Sequence, residues 1–170
     1  MKTLILLISL LGCYAANATG KPSLFKSDSY KQLIEEKKQA FLMLMWSLDC
    51  PPCIKELSTL GLLQKQYPDL NMVLISTDSP ARSDEINKLL SRFDLQTIDN
   101  WVFSTEPIQR LRYSIDPQWY GELPRSYFHN KQKTERRAVT GILNSDHILS
   151  WLKQSNEAIP VILTKALNDQ

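Results

Sequence analysis

Six apolar residues in a row, Phe41 to Trp46, run almost directly into Asp49-Cys50-Pro51-Pro52-Cys53. A strand that is apolar on both faces has to be covered on both, as a central strand of a parallel sheet is when helices lie above and below it. Beyond the cysteines, Ile54, Leu57, Leu60 and Leu63 recur at helical spacing toward Tyr67, so the cysteine pair sits where a strand ends and a helix begins. Pro51 and Pro52 suit the first helical positions, because the N–H groups they lack have no intrahelical partner there and their fixed φ is already helical.

The flanking pattern repeats this alternation. Tyr30, Leu33 and Ile34, with Glu35, Glu36 and Lys37 opposite, predict a short amphipathic helix from Ser29. Met72 to Ser76 is a second continuous apolar strand. Ser83 reads as an N-cap, with Asp84 and Glu85 in the first turn and Ile86, Leu89, Leu90 and Phe93 as one stripe. Trp101 to Phe103 predicts a short strand, and Ile108 and Leu111, reaching toward Tyr113, a short helix. Ser126 to Phe128 and Arg137 to Thr140 predict a hairpin with a polar turn near His129-Asn130-Lys131. A last helix opens near Asn144 or Ser145, with Ile148, Trp151 and Leu152 on its inner face. The order α, β, α, β, α, β, α, β, β, α implies an α/β fold with a central mixed sheet flanked by helices: crossovers make most of it parallel, and the closing hairpin adds antiparallel strands at an edge.

A length of 170 residues, 43% apolar and 22% charged, fits one compact domain. Twenty basic against eighteen acidic residues leave a charge of +2, which gives no bulk electrostatic reason to expect a nucleic-acid partner or a membrane surface. Residues 1–18 read as an export signal: Lys2, an apolar stretch from Leu4 to Ile8 resuming at Leu10, then small residues. That stretch is shorter than the roughly 20 residues a spanning helix needs. Ala16-Asn17-Ala18 fits cleavage after Ala18; Leu10-Leu11-Gly12-Cys13 resembles a lipoprotein box, which would leave a signal of residues 1–12 and a lipidated Cys13 as the one route to a membrane. The expected division is a leader, a domain over 19–154 and a tail over 155–170.

Three cysteines are too few for a disulfide scaffold, and Cys50 and Cys53 are the only close pair. At a helix start the unpaired amides and the dipole favour an anion, and such positions lower a cysteine pKa from about 8.5 to roughly 3.5–7.5. Cys50 is therefore the expected nucleophile and Cys53, one turn in, the resolving thiol. The prolines remove amide donors, and Asp49 adds a negative charge beside Cys50. Both should hold the thiolate less firmly than in a strongly oxidising site, so a reductant or an intermediate potential is expected. Glu56, one turn past Cys53, could take its proton if buried with a raised pKa; beside Lys55 it also reads as a solvated surface residue.

Trp46-Ser47-Leu48-Asp49-Cys50-Pro51-Pro52-Cys53-Ile54-Lys55-Glu56 resembles the W-x-x-x-C-x-P-C-x-x-E segment of the TlpA/ResA-like extracytoplasmic thiol-disulfide oxidoreductases, a branch of the thioredoxin-like fold, over roughly residues 25 to 154. The resemblance implies that Glu56 lies near the cysteines and helps move a proton. It also implies a cis-proline facing the disulfide, matched by Leu123-Pro124, which would expose the Leu123 backbone for pairing with an extended substrate; the alternative is that Pro124 is an ordinary turn proline. The length between Cys53 and Pro124 leaves room for the extra strand and helix that the family inserts between Met72 and Phe103. The family pattern is broken at Asp49 (usually aromatic), Ser58 (usually proline), Arg125 (usually small) and Gly121 (one position early), and Asp49 with Arg125 implies a more polar rim.

The expected activity is thus that of an exported, periplasmic protein-disulfide reductase. Catalysis falls to Cys50, Cys53 and Glu56, and substrate contacts to Trp46, Asp49, Pro51, Pro52, Leu123 and Pro124; no cofactor or metal is needed. The resemblance implies protein disulfide or thiol substrates, such as an apocytochrome c, and a membrane-embedded dithiol electron donor. The rival reading is a periplasmic copper-binding protein, since Cu(I) needs only two thiolates, with His129 as a conceivable third ligand. Zinc would need four ligands, and His129 and His147 are not at finger spacing; they read as a turn and a first-turn residue. A cysteine protease is disfavoured because the second cysteine would trap its nucleophile. Trp46 and Trp119 are candidates for a docking surface, Trp46 also for the core, and Trp101 and Trp151 read as core.

Overall fold

A computed structural model of the chain describes residues 20–132, 134 and 136–155. The proposed leader, Cys13, the tail beyond Ser155 and the Leu152 side chain lie outside the described residues. In chain order the elements are β1 (Ser23–Phe25), α1 (Ser29–Glu36), β2 (Phe41–Trp46), α2 (Pro51–Gln66), β3 (Met72–Ser76), a 3₁₀ turn (Pro80–Arg82), α3 (Ser83–Arg92), β4 (Asp99–Phe103), α4 (Ile108–Ile115), β5 (Arg125–His129), β6 (Arg136–Thr140) and α5 (Ser145–Ser155).

The strands form one sheet in the order β1-β4-β3-β2-β5-β6, parallel from β1 to β2 and antiparallel across β2-β5-β6. Every residue of β2 and β3 is buried, as their unbroken apolar sequences require. Alternation divides their side chains between two cores. Leu42, Leu44, Trp46, Met72 and Leu74 pack with Leu57 and Leu60 of α2, Ile86 and Leu90 of α3 and Ile148 of α5. Phe41, Met43, Met45, Val73 and Ile75 face Leu33 of α1 and Leu111 and Ile115 of α4. The extra strand and helix expected between Met72 and Phe103 correspond to β4, which separates β1 from β3, and α3, which precedes it.

Two local expectations change. β1, only three residues with one buried, is too short to leave a periodic signal, yet it pairs with Trp101 to Phe103. Ser83 is not a cap but the first residue of α3, and its hydroxyl donates to the Pro80 carbonyl at 2.6 Å. The capping serine is Ser79, whose Oγ accepts from the Ala81 amide at the head of the 3₁₀ turn. Asn144 does cap α5, accepting from the His147 amide at 2.8 Å.

Gly61 lies where α2 crosses the chain leaving α3. A Cβ there would collide with the Phe93 carbonyl oxygen, a backbone atom that cannot swing aside. Gly61→Ala is therefore expected to lower stability by about 2 kcal/mol despite alanine's better helix propensity. Urea denaturation of the oxidised protein checks this; an unchanged midpoint would show that the two segments can separate freely.

Candidate active site

Because β2 and β3 are parallel, the loops beyond their carboxyl ends emerge side by side, the usual place for a site in an open α/β sheet. The loop after β2, Ser47 to Asp49, is held by Asp78 just past β3. The buried Asp78 carboxylate accepts from the Ser47 hydroxyl at 3.0 Å, the Leu48 amide at 2.9 Å and the Ser76 hydroxyl at 2.6 Å. The Thr77 amide donates to the Trp46 carbonyl at 2.9 Å. Arg82, closing the 3₁₀ turn, reaches Asp78 at 3.2 Å and grips Asp49 with both nitrogens, at 2.6 and 3.3 Å. Sequence analysis missed Asp78 and Arg82. The usable signal was that two adjacent apolar strands of a parallel sheet deliver their following residues to one edge.

Cys50 is the N-cap of α2 and is disulfide-bonded to Cys53, with Cα atoms 5.2 Å apart. Pro51 and Pro52 occupy the first helical positions and are exposed. Cys50 is half-buried, whereas Cys53 has no exposed surface. One amide still serves the first sulfur: the Cys53 N–H donates to Cys50 Sγ at 3.3 Å.

Glu56 is fully buried on the inner face of α2. Its Oε1 accepts from the Ser126 hydroxyl of β5 at 3.3 Å. Burial pushes its pKa from 4.5 up to about 7, while the Leu143 backbone N–H and the Ser126 hydroxyl pull the other way. A buried carboxyl that exchanges a proton near neutrality therefore stands one helical turn from Cys53, and the solvated reading of Glu56 is excluded.

The Leu123-Pro124 peptide bond is cis. β5 pairs with β2 from His129 opposite Phe41 to Arg125 opposite Met45. The same register carried one residue further brings Pro124 level with Trp46, at the end of the sheet from which the cysteine loop leaves. Leu123 is half-buried and, like Cys50, packs against the core cluster that contains Cys53. Gly141, at φ 92°, donates its N–H to the Pro124 carbonyl at 2.9 Å and turns the chain toward Leu143 and α5.

Several expected site residues lie elsewhere. Trp46 is fully buried beneath the loop, so its side chain cannot meet a substrate. Trp119 is also buried: its indole N–H donates to the Glu122 carbonyl at 2.9 Å, and it belongs to the core on the opposite face of the sheet from α2. Trp151 is core as expected, whereas Trp101 is only half-buried, its N–H bonded to Asp99.

Arg125 is not a rim charge. It bonds to the buried Asp116 at 3.2 Å and lies over the Tyr127 ring, on the same far face. Burial works to raise the Asp116 pKa, but the Gln118 amide, Arg136, Tyr127 and Arg125 outweigh it and leave this carboxyl below its usual range. Asp49 is exposed as expected, though its charge is engaged by Arg82. His129 is no turn residue: it ends β5, buried and stacked on Phe41 with ring centroids 4.6 Å apart. Since Phe41 begins β2, His129 lies five strand residues from Trp46, roughly 16 Å at about 3.3 Å per residue. That is too far for a ligand shared with Cys50. Among the described residues no group of three or more His, Cys, Asp or Glu is placed to hold a metal ion, and no helix is long and apolar enough to cross a membrane.

No family model matches the sequence, and no curated protein matches it. Solved structures do. A secreted Mycobacterium tuberculosis disulfide oxidoreductase, homologous to E. coli DsbE, superposes with a TM-score of 0.55 at 14% identity, covering 71% of this chain and 85% of its own. A thioredoxin-related protein from Neisseria meningitidis serogroup B gives 0.55 at 21% identity, with 72% and 89% covered. StoA from Bacillus subtilis gives 0.50 at 19%, with 69% and 85% covered. With its mixed six-stranded sheet and a disulfide-bonded C-x-x-C at the head of α2, the chain has the thioredoxin-like fold of these proteins.

Proposed function

We propose that the chain is an exported thiol-disulfide oxidoreductase of the TlpA/ResA-like kind that reduces protein disulfides. The observation that carries this reading is the asymmetric cysteine pair at the start of α2, with Cys50 reachable and Cys53 sealed beside a buried carboxyl. The leader-like sequence supports export, as does the likeness to a secreted Mycobacterium tuberculosis protein.

In the reduced protein the Cys50 thiolate attacks one sulfur of a substrate disulfide. A Cys50–substrate S–S bond forms, the substrate S–S bond breaks, and the departing thiolate takes a proton from solvent. Cys53 then gives its proton to Glu56 and attacks Cys50 Sγ, forming the internal disulfide and expelling the second substrate sulfur, which is protonated in turn. Two electrons and two protons reach the substrate. Leu123, held by the cis bond to the buried Pro124, offers its backbone to the extended substrate chain, and Asp49, Pro51 and Pro52 form the adjoining rim. A membrane-embedded dithiol protein restores the reduced pair, and the clients are secreted thiol proteins, apocytochrome c among them.

The prolines support the reductase direction, since they leave the first sulfur fewer amide donors. Asp49 supports it less than its sequence position suggests, because Arg82 offsets its charge.

Insulin reduction driven by dithiothreitol, together with equilibration against glutathione, tests the proposal. Accelerated insulin precipitation and a potential well below about −120 mV, that of a strong oxidant, are the expected results. Absence of both, with tight one-to-one Cu(I) uptake by the reduced pair, would put a copper carrier in its place.

A further inference from the structure

We propose that Arg82 is a positioning residue that sets the redox balance of the cysteine pair by countering the carboxylate next to the nucleophile. The inference deepens the oxidoreductase reading and rests on it.

Arg82 has three carboxylate partners, and they differ in kind. Asp78 is buried and already accepts from Ser47, Leu48 and Ser76, so it is a fixed post at 3.2 Å. Glu85, at 3.0 and 3.2 Å, belongs to the first turn of α3 and holds the guanidinium from the other side. Asp49 is the third, with a side chain 76% exposed, and Arg82 meets it bidentately. An exposed side chain is ordinarily free to swing away. Here it is met by a guanidinium that two other anchors have already oriented, so the ordering cost falls largely on Asp49 alone.

The consequence depends on redox state. In the disulfide form Cys50 carries no charge. Reduction creates a thiolate next in sequence to Asp49, and an uncompensated carboxylate there would disfavour it. Arg82 supplies the opposing charge and so stabilises the reduced form, which makes the pair less reducing than Asp49 alone would leave it. The aromatic residue usual before the first cysteine would need no such partner.

A mutant cycle separates a charge effect from a loop-bracing one. The readout is the equilibrium constant with glutathione, written in favour of the protein disulfide. Arg82→Gln is expected to raise it about threefold, ~14 mV at ~30 mV per decade. Asp49→Asn is expected to lower it by about as much, and the double variant to return within about 1.5-fold of wild type; added salt of about 0.5 M should shrink both single shifts.

If Arg82 merely braces the loop, both single variants break the same contact and must shift the constant in the same direction. That outcome overturns the inference, as do shifts below about 1.5-fold in both. Should Arg82→Gln fold poorly, Arg82→Lys, which keeps the charge without the bidentate grip, takes its place: a constant within about 1.5-fold of wild type is expected, and a threefold rise overturns the inference. A wild-type protein that does not equilibrate with glutathione removes the oxidoreductase reading itself; one that equilibrates normally while the variants fail the pattern removes only the role of Arg82.

Discussion

Cys50→Ser is expected to abolish insulin reduction, a loss on the order of 10³-fold or more, while leaving the fold intact. Cys53→Ser should behave differently. The exposed thiol can still attack, but with no resolving sulfur behind it the Cys50–substrate bond persists, and the client becomes visible as a higher-mass, dithiothreitol-sensitive band on a non-reducing gel. The asymmetry follows from burial: Cys50 is half-exposed at the helix cap, whereas Cys53 is closed off from any visiting chain. If Cys53→Ser captured nothing while Cys50→Ser did, the roles of the two sulfurs would be reversed.

Glu56→Gln is expected to change stability and rate together. The Glu56 pKa lies near 7 in the folded protein against 4.5 in an unexceptional setting, so between these values the native state keeps a proton that the unfolded chain has released. Its contribution is thus fully present below about pH 4.5 and is lost as pH rises through about 7, a fall of roughly 3 kcal/mol at ~1.4 kcal/mol per pKa unit. Glutamine carries no titrating proton. The variant should match wild type at pH 4, lack the downward slope between pH 4.5 and 7.5, and be about 2–3 kcal/mol more stable at pH 8 in urea titrations of the oxidised form.

The same change removes the acceptor for the Cys53 proton, so resolution of the mixed disulfide at pH 7 should slow about 10²-fold. A variant that is stabilised at pH 8 yet resolves at the wild-type rate would leave Glu56 buried but idle.

Much of this molecule could be read from its sequence because β2 and β3 are continuously apolar and the helices carry apolar stripes, even though α2 also leaves Leu62 exposed. Those two properties fix which elements are central and which cover them. The junction carrying Cys50 and Cys53 follows from local spacing alone, whereas spacing left Glu56 equally a solvated surface residue and only the family resemblance put it beside the cysteines. What could not be read depends on which elements become neighbours. Arg125 and Ser126 are adjacent in sequence, yet strand alternation sends the first to Asp116 on one face and the second to Glu56 on the other. The pleat decides that, and a one-residue uncertainty in register reverses it. His129 was misplaced for a similar reason: the turn begins one residue later than its polar neighbours suggest, and a ring that looked solvent-facing is stacked in the core. The contacts of Asp78 and Arg82 with Ser47, Leu48 and Asp49 depend on β3 lying beside β2, which the two apolar strands imply but no residue spacing marks.

The position of β4 has a practical consequence. It enters the sheet between β1 and β3, so β3 stands between it and the strand that leads to the sulfur atoms. The half of the protein bounded by β1 and β4 is accordingly the side on which loops can be lengthened, or a reporter or affinity handle grafted, with the least disturbance to electron exchange at the carboxyl end of β2.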